Sequence, residues 1–275
     1  MRHDLQNIIL TPDAREAVAR DKGITDFESI RSRPFHVEDI DLDLLQQFRD
    51  SYLDDPSAFN YSPEELLKRA GALERDHLGN LWLTNAGLLF FGKNPQDRFS
   101  RAYVRLMKFE SRSDDPDAPR LPTFEKDFDG PLTVQIRNLR AFLKGSAFLK
   151  TYQRRNDSGG FKEEPELPHV AIDEAVVNAV AHRDYGLSSP IEIRLYRDAL
   201  LLKNPGRVMQ TGHDLPDSFS LDQIPLEHAA RNSRILEWMR KMRDTNGRAF
   251  VQLLSEGTRT MTTEVMALGL PAPEF

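Results

Sequence analysis

Between residues 168 and 206 the spacing of apolar and polar positions changes period. From His169 to His182 (HVAIDEAVVNAVAH) apolar side chains fill most positions, and Glu174, Asn178 and His182 recur every fourth residue. From Ile191 to Arg197 (IEIRLYR) apolar and polar residues alternate. A helix turns once in about 3.6 residues and a strand repeats every second residue, so the stretch predicts a buried helix followed by a half-buried strand. Arg197-Asp198-Ala199 predicts a turn and Leu200 to Lys203 a returning strand. Asn204-Pro205-Gly206 ends it, because proline cannot donate to a ladder.

The rest of the chain reads as a succession of short elements. Residues 11–22 (TPDAREAVARDK) predict a helix, 26–37 a loop, and 41–53 (DLDLLQQFRDSYL) an amphipathic helix. Ser62-Pro63-Glu64-Glu65 has the cap, proline and acid order of a helix start, with an end at Gly71. Leu81 to Leu83 predict a strand and Thr84 or Asn85 a cap, followed by a helical turn through Leu88-Leu89-Phe90-Phe91. That turn is too apolar to lie in a DNA groove and is expected in the core. Residues 101–109 predict a strand, 111–122 an exposed loop, and 132–143 a helix burying Ile136, Leu139 and Leu143. From Pro131 to Asn156 there is no acid, whereas Arg137, Arg140, Lys144, Lys150, Arg154 and Arg155 are cationic. This interval reads as a solvated basic face, with a phosphate-contacting stripe as the functional alternative. Asn156 to Gly160 predict a flexible break, 215–221 a loop, 224–243 a helical run, and 258–268 a last helix with Met261, Val265 and Leu268 inward. The expected organisation is an N-terminal helical and linker segment over 1–60, an α+β connecting domain over 61–156, and a C-terminal domain over 157–275.

Composition narrows the chemistry. With 275 residues and 39% hydrophobic residues the chain can bury a sizeable core. It has no cysteine, which excludes disulfides, thiolate zinc sites and cysteine nucleophiles. No apolar run approaches the ~18 residues of a membrane span, and the start lacks a signal-peptide pattern, so a cytoplasmic location without membrane partners is expected. A net charge of −6 argues against a bulk nucleic-acid coat and leaves room for a local basic face.

Burying Glu174 or Asn178 without partners would cost several kcal/mol, so their seam must face something polar. A ligand, a metal with its water shell, or an internal network would each satisfy it. Magnesium prefers oxygen ligands and keeps waters, so one amide oxygen, such as that of Asn178, suffices as protein ligand. Zinc fits less well, since the HExxH order is missing. Pairing of Glu174 with Arg183 or another cation is the purely structural alternative.

Taken together, EAVVNAVAHRDYG, IEIRLYRDALLLKNPGRV and LSEGTRTM (Leu254 to Met261) resemble the RecG-related C-terminal, GHKL-type ATPase domain of bacterial transcriptional regulators with an AlbA-like (Schlafen-type) N-terminal domain. LTNAGLLFFGKNP (Leu83 to Pro95) resembles the family's segment between those two parts. The resemblance implies a GHKL (Bergerat-like) α/β sandwich with a mixed sheet, behind a smaller α+β N-terminal region. It implies ATP and Mg2+ as cofactors, with Glu174 the catalytic, water-activating residue and Asn178 the magnesium ligand. Asn204 and Gly206 stand where an Asp-x-Gly would hold adenine, and Ser255, Glu256, Gly257 and Thr258 match the later phosphate loop. His182 and Arg183 join the implied cofactor-binding set, and Arg231 and Asn232, with Arg234, form its implied rim, a solvated basic face being the structural alternative for these three. Two departures matter chemically: Asn204 is an ambivalent amide in place of a carboxylate acceptor, and SEGT keeps a single glycine. The implied function is a Mg-dependent ATP-binding module, ATP-hydrolysing in the fuller reading, that acts as the conformational switch of a homodimeric, DNA-associated regulator. An inactive interaction or dimerisation module of the same fold, and direct DNA binding through the basic interval, are the alternatives.

Overall fold

A computed structural model describes residues 26–52, 60–117, 119–146, 148–155, 159–206, 218–221, 230–243, 247, 249–251 and 257–274. The helix expected over 11–22 lies outside them, as does the first part of the run expected over 224–243.

The N-terminal part is an antiparallel sheet with helices around it. Strands β1 (Arg31–Pro34), β2 (Leu73–Arg75) and β3 (Leu81–Thr84) pair in the order β1-β3-β2. The loop expected over 26–37 therefore contains a strand. Its RSRP sequence lies along a sheet edge with no residue fully buried, so no apolar alternation marks it. Helix α1 (Leu42–Tyr52) buries Leu44, Leu45 and Phe48. Helix α2 (Pro63–Ala70) starts on a Ser62–Glu65 capping box and ends at Gly71 in the left-handed region, as its sequence predicts. Helix α3 (Asn85–Phe91) is buried along its whole length, with the Thr84 hydroxyl accepting from the Gly87 N–H.

A mixed sheet carries the second half. Strands β4 (Val104–Lys108), β5 (Phe124–Phe128), β8 (Ile191–Leu195) and β9 (Leu200–Lys203) lie in the order β5-β4-β8-β9. Only the β4–β8 pair is parallel. The sheet thus takes two strands from each side of residue 157. Strands β6 (Thr151–Arg155) and β7 (Phe161–Pro165) form a separate hairpin across the expected break. The basic interval is divided between helix α4 (Leu132–Gly145) and this hairpin, and two of its cations are paired: Arg140 with Asp173 at 3.2 Å and Arg154 with Glu164 at 3.3 Å.

Against the sheet pack α4 and helix α5 (His169–His182), which bury Ile136, Leu139, Val176, Val177 and Val180 in one core with Ile191, Ile193 and Leu195 of β8. Helix α6 (Ser233–Lys241) joins this core to the N-terminal part, with the Trp238 ring 5.2 Å from Phe90, 5.2 Å from Phe91 and 6.2 Å from Phe48. Helix α7 (Gly257–Ala267) packs along α5, with Met261 in a small cluster beside Ala171, Phe219 and Leu221.

A buried carboxylate joins two distant parts of the chain. Glu28 accepts from the backbone N–H of Arg234 at 2.9 Å and of Ile235 at 2.8 Å, and from the Ser233 hydroxyl at 3.3 Å. It therefore caps α6 from more than 200 residues away in sequence. Burial pushes its pKa up and the backbone donors pull it back, burial prevailing, so the cap stabilises less than two charge-assisted bonds would in isolation. Glu28→Ala should lower unfolding free energy by about 2 kcal/mol in urea denaturation at pH 7, because it strands two backbone donors, and Glu28→Gln by less. Equal stability of Glu28→Ala and the parent chain would show that α6 needs no such cap.

Candidate functional site

Helix α5 sets the geometry. Its apolar positions leave only narrow freedom of rotation, since Ala171, Ile172, Val176, Val177, Ala179, Val180 and Ala181 are all buried. Glu174, Asn178 and His182 stay half-buried on the remaining stripe. Within it the Asn178 side chain hydrogen-bonds the Glu174 carboxylate. A carboxylate only accepts, so the Asn178 amide nitrogen is the donor. Burial raises the pKa of Glu174 above the ordinary glutamate range, against the lowering effects of the Asn178 hydrogen bond and of Arg140 across on α4. Of the structural alternatives read from the sequence, the cation near Glu174 is Arg140 and not Arg183.

The start of α7 meets the same stripe. A Cβ added at Gly257 would lie 2.0 Å from Oε1 of Glu174 and 3.0 Å from Nδ2 of Asn178, so backbone occupies the space directly over both groups. Only glycine allows that approach with the carboxylate where it stands. Thr258 follows in the first turn, where no acid competes with the partial positive charge of the helix N-terminus. Ser255 and Glu256 lie outside the described residues.

At its other end α5 meets the Asn204-Pro205-Gly206 turn. The Asp184 N–H donates to the Pro205 carbonyl at 2.9 Å. Gly206 has φ +121°, and a Cβ there would come within 3.2 Å of the Asp184 Cβ and 3.6 Å of the Arg231 Nε. The buried Arg231 and Asp184 side chains approach to 3.7 Å. Oδ1 of Asn204 is buried with no hydrogen-bond partner. Asn232 is committed to the helix itself, since its Nδ2 donates to the carbonyls of Ala181 at 2.9 Å and Arg183 at 2.8 Å. Arg183, 1% exposed, donates to the Ser189 carbonyl and stacks over Tyr185, in the wall of a second cleft.

The structure thus gathers Glu174, Asn178, Gly257 and Thr258 at the middle of α5, and Asn204, Gly206 and Arg231 beside Asp184 just past its C-terminal end. Asp184 belongs with the latter group and is absent from the sequence-derived set. Its signal is an acid two residues before a glycine, which forms a turn here with the Gly186 N–H donating to Oδ1 at 2.9 Å. Among the described residues no group of three or more His, Asp or Glu side chains is placed to hold a metal.

Residues 188–275 match the family described as "Putative ATP-dependent DNA helicase recG C-terminal". The matched stretch, the C-terminal third of the chain, is thus similar to an ATPase-like domain of RecG type. Residues 16–105 match a second family, described as a domain of unknown function (DUF8451). The first match contains Asn204, Gly206, Arg231, Asn232, Gly257 and Thr258 but begins after α5, so Glu174, Asn178, His182 and Arg183 stand on geometry. Among solved structures, the DIP2311 protein from Corynebacterium diphtheriae is similar, with a TM-score of 0.60 and 22% identity over 92% of this chain. The aligned part is 47% of that chain, and the likeness concerns the fold. No curated protein matches. No helix among the described residues is long and apolar enough to cross a membrane.

The raised pKa of Glu174 has a definite sign in stability. The folded protein holds this proton more tightly than the unfolded chain, so the associated stability is complete below the ordinary glutamate value of 4.5 and is lost as pH rises through the folded value. Glu174→Gln should therefore raise the melting temperature at pH 7, by roughly 2 °C, and bring no gain at pH 4. Thermal denaturation at both values checks this, and a Gln variant less stable at pH 7 would contradict the sign.

Proposed function

We propose that the chain binds ATP with Mg2+ along the polar stripe of α5 and hydrolyses it slowly. The observation that carries this reading is the close approach of Gly257 to both Glu174 and Asn178 at the middle of the helix, while Gly206 and Arg231 converge on Asp184 just past its C-terminal end. The helix advances about 12 Å between Glu174 and His182, a span suited to a nucleoside triphosphate laid along it.

The residues fit the ligand at both ends. The orphaned acceptor of Asn204 suits the amino group of adenine, and as an amide it can also donate to a ring nitrogen. The side-chain oxygen of Asn178 suits a hard cation, and the first turn of α7 suits phosphate oxygens. Magnesium, when bound, would neutralise charge developing on the phosphates. Glu174, with its proton affinity raised by burial, is fitted to orient a water and take its proton. Because Gly257 and the α7 backbone occupy the space over Glu174 and Asn178, nucleotide entry requires α7 to shift, and that shift is the conformational switch. His182 and Thr258 line the path, whereas Asn232 acts by holding the end of α5.

In the wider reading, which rests on the sequence resemblance, the switch belongs to a cytoplasmic, homodimeric, DNA-associated regulator of the AlbA-like (Schlafen-type), GHKL-containing kind. Calorimetry with a non-hydrolysable ATP analogue tests the core of the proposal. Binding should require magnesium and weaken at least tenfold in Asn178→Ala. Glu174→Ala should keep binding but lose ATP turnover by about two orders of magnitude, the usual scale for a general base. Absence of heat and of any thermal shift would reject the nucleotide site and leave an interaction module; wild-type turnover in both variants would reject the residue roles.

A further inference from the structure

The second cleft has a different chemistry from the α5 stripe. It lies between Asn85 at the start of α3 with residues 98–102 on one side and the segment following α5 on the other, has a volume of about 470 Å³, and has no Asp or Glu in its lining. Three arginines line it: Arg98, Arg101 and Arg183. Arg98 and Arg101 are exposed, Arg98 resting near the Phe99 ring and Arg101 donating to the Tyr103 hydroxyl at 3.0 Å.

Arg183 is the unusual member. It is 1% exposed, and among the described residues its side chain makes one hydrogen bond, from Nη2 to the Ser189 carbonyl at 2.7 Å. Its Nε is buried without a partner. The nearest acid in sequence, Asp184, is turned toward Arg231 and the Gly186 N–H. Burial accordingly lowers the pKa of this arginine. A buried cation with no ion-pair partner costs several kcal/mol and is retained where a ligand supplies the missing charge.

Asn85 adds a second requirement. It is 4% exposed, and its Nδ2 donates to the Phe27 carbonyl at 3.0 Å, which fixes the orientation of the amide. Its Oδ1 is buried without a donor. The cleft therefore asks for an anion that also brings a hydrogen-bond donor. We propose that it binds a small phosphate ester, its phosphoryl oxygens taken by Arg98, Arg101 and the Nε of Arg183, and a hydroxyl or amino hydrogen of its organic part by Asn85 Oδ1. Arginine is suited to this because its planar fork matches phosphate oxygens. The depth of Arg183 and Asn85 excludes the backbone of a nucleic acid, which would reach only the rim. Arg183 is also the residue at which α5 ends, so the ligand would bear on the helix that carries Glu174 and Asn178. The proposal stands apart from ATP binding at that helix.

The test is calorimetry on the full chain in magnesium-free buffer containing EDTA, with ribose 5-phosphate as probe and ribose and inorganic phosphate as controls. Ribose 5-phosphate should bind with unit stoichiometry and more tightly than phosphate, and ribose should give no heat. Arg98→Ala/Arg101→Ala, both exposed, should weaken binding at least tenfold with an unchanged melting temperature. Asn178→Ala should bind the probe as the parent chain does, which separates this cleft from the α5 site. Arg183→Lys, which removes Nε and keeps the charge, should also weaken binding. Lack of heat with the parent chain overturns the proposal. So does binding lost in Asn178→Ala but kept in the double variant, or a single-stranded oligonucleotide that competes more strongly than ribose 5-phosphate.

Discussion

A helix as apolar as α5 can be buried only if its polar groups find partners without water. The C-terminal carbonyls are the harder problem, because the last turn of any helix leaves them unbonded. Here Asn232 donates to two of them, at Ala181 and Arg183, and the Tyr185 hydroxyl donates to a third, at Val180. With that end closed, the rotation of α5 is fixed by its buried valines, and the position of Glu174 and Asn178 follows. The β8–β9 hairpin must then pass close enough for Pro205 to accept from Asp184, which is what demands glycine with positive φ at 206. The arrangement at both ends of the stripe descends from this one requirement.

The same requirement gives the stripe its chemistry. Glu174 is held in partial burial by neighbours chosen for packing, and partial burial is what raises its proton affinity. The stripe is thus strained electrostatically by the fold that positions it, a common relation between stability and activity in proteins. Helix α7 relieves part of that strain by presenting the positive end of its dipole to the carboxylate.

Much of this was legible in the sequence, for reasons that are local. The α5 stripe follows from a four-residue recurrence, the β8–β9 hairpin from strict alternation, and the start of α2 from adjacent capping residues. What the sequence hid depends on partners far along the chain. The RSRP strand has no apolar alternation because it lies on a sheet edge, and the β6–β7 hairpin is so exposed that Tyr152 and Phe161 face solvent. Cations that looked like one basic stripe belong to two elements, and Arg140 and Arg154 answer to acids on α5 and β7. Asn232 read as a rim residue because nothing near it in sequence discloses that its amide closes a helix some 50 residues earlier. The isolation of Arg183 is equally invisible, since it is defined by what lies across space.

The reach of Glu28 to the start of α6 also has a meaning for the chain as it is made. Its donors lie 205 to 207 residues downstream. At ribosomal speeds of about 5–20 residues per second, the carboxylate waits roughly 10–40 s after its own synthesis before they emerge. Phe48, Phe90 and Phe91 are all made by residue 91, 147 residues before Trp238, which packs against them in the folded chain. The nascent protein therefore carries this aromatic cluster while its cover is still being translated.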